Sequence, residues 1–245
     1  MMANPHIHSV TMLVLLGLCP AATAGTFTPP QGCTPEMTVQ MLGCTVSNHF
    51  TCTADAPGDR WRADFGQNGL FFRSRINSEA EWVESFDVNP DMRKVLEQSQ
   101  RDPGSMTGLL TTGKDIYDFS TLADDGERQN VTGFDTLTGE SVVIDGVTLQ
   151  RTEYDAEAVH DDGTPAWHSR GHEYVDPLRR VFISGRGEWQ GADGGDFLAF
   201  DFSPLDFAFP GEKGFMSTTP LFGCDEVLSR ADAPTLISAR KGARP

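Results

Sequence analysis

Positive charge is scarce in this sequence. Lys and Arg number 19 against 35 Asp and Glu, a formal net charge of −16 over 245 residues. Nucleic-acid binding draws most of its affinity from Lys and Arg neutralising phosphates, so the absence of a basic stripe and of any recognition motif excludes that partner. Closely spaced cysteine pairs are also missing. No Cys-x-x-Cys occurs, which removes a thioredoxin-type redox centre, and intervals of ten and seven residues between Cys33, Cys44 and Cys52 do not suit a zinc knuckle. The apolar run from Val10 to Cys19 ends at Pro20, about half the roughly 20 residues that a membrane-spanning helix needs, so no transmembrane anchor is expected.

Catalytic signatures are absent or incomplete. Ser184-Gly185-Arg186-Gly187 lacks the leading glycine of a nucleophile elbow. His172-Glu173-Tyr174-Val175-Asp176 has Asp where a zinc-protease helix needs its second His. Neither a phosphate-cradling loop nor a calcium-loop pattern occurs, and no cofactor is expected.

What is there begins with a leader. The Val10 to Cys19 run followed by Ala22-Thr23-Ala24 reads as the apolar core and cleavage site of a secretory signal peptide, residues 1–24. Its first residues carry no Lys or Arg, and Leu18 before Cys19 does not fit a lipidation signal. The expected address is periplasmic or extracellular after cleavage near Ala24. Residues 25–230 read as a single β-rich domain, and 231–245, with Arg240, Lys241 and Arg244, as a mobile tail.

Four cysteines follow the leader: Cys33, Cys44, Cys52 and Cys224. An even count in an exported chain implies two disulfides, with three pairings open. Every pairing joins Cys224 to one of the three near the start, so the ends of the domain are tied.

Gly and Pro fall at short intervals, which makes the elements short and the turns frequent. Strands are predicted at Trp61 to Phe65, Leu70 to Ser74, Thr107 to Thr111, Asp115 to Ser120, Gln129 to Asp135, Val142 to Ile144, Val147 to Tyr154, Ala166 to Val175, Val181 to Trp189 and Phe197 to Phe202. Asp145-Gly146 between Val-Val-Ile and Val-Thr-Leu is the clearest hairpin signal. Helix is scarce. One is predicted from an Asn89 cap with Pro90 at the first position through Leu96, and a shorter one from Thr34 to Gly43. Ser78 to Phe86 is ambiguous and reads better as strand. The expected fold is all-β: an antiparallel meander curved into a half-barrel or barrel-like sheet, with one or two short helices.

The densest polar cluster is His160, Asp161, His168, His172 and Glu173. On a helix His168 and His172 would share a face, but on a strand four residues span about 13 Å, too far for one metal ion, so no metal site is favoured. His168, Arg170, His172 and Tyr174 instead form a row on one strand face, a candidate contact surface or a solvated one. The run Phe197, Phe200, Phe202, Phe207, Phe209, Phe215 and Phe222 either packs a core or lines a cavity for an apolar ligand. The functional expectation is an exported, non-enzymatic binding or envelope-associated protein, whose partner is an apolar or lipid-like ligand or an envelope protein. The alternative is a metal-dependent hydrolase using the His160 to Glu173 cluster.

Overall fold

The computed structural model describes residues 25–224; the expected leader, and the tail from 231 onward, lie outside the described residues. In chain order the elements are β1 (Cys33–Met41), β2 (Thr45–Cys52), β3 (Arg60–Gly66), β4 (Gly69–Ile76), β5 (Trp82–Val88), β6 (Asp91–Leu96), α1 (Met106–Thr112), β7 (Lys114–Ala123), β8 (Arg128–Ile144), β9 (Val147–His160), β10 (Pro165–Asp176), β11 (Val181–Ile183), β12 (Arg186–Gly191), β13 (Leu198–Asp201) and β14 (Pro204–Ala208). All fourteen strands belong to one antiparallel sheet, ordered β13-β12-β10-β9-β8-β7-β6-β5-β4-β3-β2-β1-β14, with β11 paired to β10.

Turn chemistry sets this path. Asp145 and Gly146 take φ of 46° and 78°, positive at both central positions as a type I′ turn requires, and they join the two longest neighbouring strands, β8 and β9. The expected strands at Gln129 to Asp135 and Val142 to Ile144 are one continuous β8, whereas Val181 to Trp189 divides into β11 and β12 around Ser184 and Gly185.

Three local expectations are corrected. The stretch after Asn89-Pro90 is β6 rather than a helix: the dipeptide is cis and turns the chain between β5 and β6. The stretch from Thr34 is β1, where Met37, Val39 and Met41 face one core and Thr38 and Gln40 face the C-terminal segment. Thr107 to Thr111, expected as strand, lies in α1. Ser105 caps that helix by accepting the Gly108 N–H at 2.9 Å, and Gly113 ends it in the left-handed region at φ 83°.

The hydrogen-bonded ladder does not close. Its two edges, β13 and β14, are consecutive in the chain, so Leu198–Ala208 pairs with β12 at one end and with β1 at the other. The Leu42 N–H donates to Ser203 O at 3.0 Å and the Phe202 N–H to Gly185 O at 2.8 Å, which satisfies backbone groups at the seam. A core of Met37, Val39, Val147, Leu149, Tyr174, Ile183 and Phe207 joins β1 and β14 to the tip of the β8–β9 hairpin and to β10 and β11. Full burial of side chains such as Val39 and Leu149 contributes about 1.5–3 kcal/mol each and holds the sheet curled.

Cys33 bonds to Cys52 across β1 and β2, and Cys44 bonds to Cys224 over a separation of 180 residues, so the expected tie between the ends exists. The segment leading to Cys224 lies along β1 and β2: Thr38 Oγ1 accepts the Met216 N–H at 2.6 Å, Asn48 Nδ2 donates to Ser217 O at 2.9 Å, and Gln40 Nε2 donates to Thr219 O at 3.1 Å.

Candidate functional site

The inward face of β7 to β10 follows from strand alternation. Register aligns Asp115, Asp135, Tyr154 and Gly171 across the four strands, and Tyr117, Gly133, Ala156 and Ser169 one step along. Glu173 lies two residues beyond Gly171 on the same face. The glycines make room for the tyrosines. A Cβ on Gly133 would stand 2.7 Å from the Tyr117 ring, and one on Gly187 2.9 Å from the Tyr154 hydroxyl.

The side chains of these two rows, with Glu173, line a partly open cavity of about 170 Å³. One wall is apolar. Trp82, Phe119 and Trp167 meet there, with Trp82 edge-on to Phe119 at 5.3 Å and 6.4 Å from Trp167, and Leu96, Met106 and Ala156 beside them. Trp167 Nε1 donates to Gln129 Oε1 at 3.2 Å, so its polar edge is satisfied outside the cavity wall. Helix α1 closes one end, where Met106 and Leu109 pack with Ala80 and Val175. Glu79 holds the start of that helix by accepting from Thr107 N at 2.8 Å, from Ser105 Oγ at 3.1 Å and from Arg180 Nη2 at 2.8 Å. Burial works against its charge, but these bonds and the Arg180 charge keep its carboxyl below the ordinary range.

Further along the same face of β7 to β10 the lining is acidic. Asp135 is 8% exposed and lines the cavity, and among the described residues no donor reaches its carboxylate. Burial, and then the charges of Glu173 and Asp115, push its carboxyl well above the usual range. Glu173 is half-buried and lines the same cavity. Burial raises it to about 7, while the Arg62 charge pulls the other way. Asp115 is also raised, by burial first and then by Asp102 and Glu79, although the Ser105 N–H donates to it at 2.8 Å. Burial and the neighbouring carboxylates hold the Tyr117 and Tyr154 phenols in their protonated form.

The far end, at β2 and β3, carries Arg62 and His49. Arg62 lies 5.1 Å from the Phe72 ring centre with its Nε 3.3 Å from Asp64 Oδ2, an ion-pair contact that leaves Nε without a hydrogen bond. Burial first, and then Arg62, Arg60 and Arg179, lower His49 to about 3, leaving it neutral beside Ser47 Oγ at 3.3 Å.

Comparison of the chain with protein-family models, curated proteins and solved structures finds no match.

Strand alternation separates the residues singled out in the sequence. His168, Arg170 and His172 point away from the cavity: His168 Nε2 lies 2.7 Å from Asp155 Oδ1, Arg170 Nε donates to Glu188 Oε1 at 2.6 Å, and His172 Nδ1 lies 3.2 Å from Thr152 O. Tyr174, on the same face, is buried in the core with Val39 and Leu149 instead of lining a surface. His160 sits 3.4 Å from Glu127, and Asp161 accepts from Arg128 and Asn130. Glu173 alone of the cluster faces inward. Among the described residues no three His, Cys, Asp or Glu side chains are placed to share a metal ion.

The C-terminal phenylalanines do not line the cavity. Phe207 belongs to the core, Phe197 packs against His168 and Arg170, and Phe200 meets Phe202 at 5.5 Å. The cavity residues that the sequence reading missed, Asp115, Tyr117, Asp135 and Tyr154, had one available signal. They are charged or phenolic groups at the inward positions of alternating strands, where apolar side chains are the rule.

Proposed function

We propose that the protein is an exported binding protein that takes a small ligand into the cavity lined by Trp82 and Trp167 and by Asp135 and Glu173. The cavity carries this reading. A partly open space of about 170 Å³ is close to the roughly 150 Å³ in which an engineered apolar cavity binds benzene, so the space suits a group with the bulk of a single ring. Concave sites with an aromatic lining and a few convergent polar groups are the usual form of a small-molecule site. The two disulfides fit an oxidising compartment, and the leader-like first 24 residues supply the route to it.

Native mass spectrometry and thermal unfolding against a panel of ring-sized compounds test the binding reading. An adduct lost on unfolding, or a raised unfolding temperature, is expected for wild type and absent for Ala156→Leu, which fills the space. A panel without any adduct or shift contradicts it. N-terminal sequencing tests export: Gly25 is the expected first residue, and a retained Met1 contradicts it.

A further inference from the structure

We propose that the cavity selects an organic ammonium ion, a primary amine on a ring-sized apolar body, with its charged head against Asp135. The inference rests on the cavity being the ligand site, and it names the chemistry of the occupant.

Among the described residues the buried lining atoms without a hydrogen-bond partner are two acceptors, Glu81 Oε1 and Gln100 Oε1, and one donor, Arg62 Nε, which lies at the far end from Asp135. Asp135 is 8% exposed, faces the cavity and has no donor among the described residues. Glu173, half-buried across β9, faces the same cavity and has no hydrogen-bond donor among the described residues, although the Arg62 charge acts on it. The Oε1 atom of Glu81, also on the lining, is buried without a partner, its other oxygen being held by Asn77. The charges that act on Asp135 come from Glu173 and Asp115, both acidic. Of the cationic groups nearby, Arg180 is paired with Glu79 and Arg60 with Glu36, while the Arg62 charge acts on Glu173 and is not among the charges that act on Asp135. A buried carboxylate with neither a donor nor a counter-charge is costly, and an ammonium head supplies both at once. An anion or a neutral acceptor supplies neither.

The remaining lining suits the rest of such a molecule. Tyr117 and Tyr154 flank the acidic wall, and ring faces attract ammonium groups. The Trp82, Phe119 and Trp167 wall then takes the apolar body. Because Asp135 and Glu173 are both held toward their protonated forms when the cavity is empty, entry of the cation displaces a proton, and affinity for the amine rises with pH. The titratable groups on the lining are Asp115 and Tyr117 from β7, Asp135 from β8, Tyr154 from β9 and Glu173 from β10, together with His49 from β2, Arg60 and Arg62 from β3, and Glu79 and Glu81 before β5. His49 stays neutral between mildly acid and mildly alkaline pH, so the carboxylates set the dependence.

Isothermal titration with benzylammonium, benzyl alcohol and benzoate tests this. Near pH 8 benzylammonium is expected to bind about tenfold or more tightly than the alcohol, with benzoate not binding. Near pH 5 the amine's advantage is expected to shrink, while the alcohol's affinity is unchanged. Asp135→Asn is expected to lower amine affinity by about tenfold and to leave the alcohol within about twofold; should that variant not fold, Glu173→Gln is read in the same way. Equal or tighter binding of the alcohol, or an amine preference that survives both substitutions, overturns the ammonium inference and leaves the cavity as a ligand site. If none of the three binds, both readings fall.

Discussion

Asp135 on β8 and Glu173 on β10 face the same cavity across β9, and after burial itself the charge of Glu173 is the main reason that Asp135 resists ionisation. Two unpaired carboxylates on one inner wall have no use in packing, since a protein interior of this kind is most stable when its polar groups are bonded.

Stability against pH should report this directly. Glu173 titrates near 7 in the folded protein and near 4.5 when unfolded, so the folded state binds more protons over that interval. The contribution is fully present below the unfolded value and is lost as pH rises through the folded one. The difference is worth on the order of 3 kcal/mol if fully expressed. Glu173→Gln is therefore expected to exceed wild type in stability above pH 7 and to converge with it toward pH 4, measured by denaturant unfolding across the range.

His49 acts in the opposite sense. Its folded value of about 3 lies below the ordinary 6.5, so its contribution is present above 6.5 and lost as pH falls toward 3. His49→Gln, which cannot take up a proton there, is expected to lose less stability than wild type below pH 6, by up to on the order of 4 kcal/mol at the acid end. Parallel unfolding curves for the two proteins from pH 7 to pH 3 would count against a buried neutral histidine.

The Cys44–Cys224 bond closes a loop of 180 residues, and loops of that length give a disulfide its largest effect on the unfolded chain. Replacing both cysteines with alanine is expected to cost about 2–5 kcal/mol and to free the segment that lies along β1 and β2. Non-reducing peptide mapping should recover Cys33 with Cys52 and Cys44 with Cys224.

The tyrosine wall depends on its glycines. A methyl group on Gly133 would meet Asp155 O at 2.6 Å and the Tyr117 ring at 2.7 Å, and the backbone oxygen cannot swing aside. Gly133→Ala is expected to destabilise the protein by about 1–3 kcal/mol. Tyr117→Ala, which removes only one of the two contacts, should restore little of that loss in the double variant.

Strands and hairpins were legible in the sequence wherever turn chemistry marked their ends, as at Asp145-Gly146. The helices were not. Asn89-Pro90 carries the residues of a helix cap, yet Met92, Lys94 and Leu96 alternate with Arg93 and Val95 as the β6 ladder demands. Around Thr107 the β-branched residues suggested strand, while Ser105 and Gly113, the caps that decide α1, carried the better signal. β1 alternates Met37, Val39 and Met41 with Thr38 and Gln40 as a strand should, but Thr34-Pro35-Glu36 just before carries the residues of a helix start, and that signal masked it. As for the site, Glu173 was noticed for its neighbours in sequence, His168 and His172, which point the other way. Its true companions, Asp135, Tyr154 and Tyr117, come from other strands and become neighbours only through register.

A crystal structure of the protein grown with benzylammonium near pH 8 tests the account most directly. The expected result is the ring against Trp82 and Trp167, with the nitrogen at hydrogen-bond distance from Asp135. A cavity without ligand, or one collapsed by inward movement of the tryptophans, with the amine bound elsewhere on the surface, would contradict it.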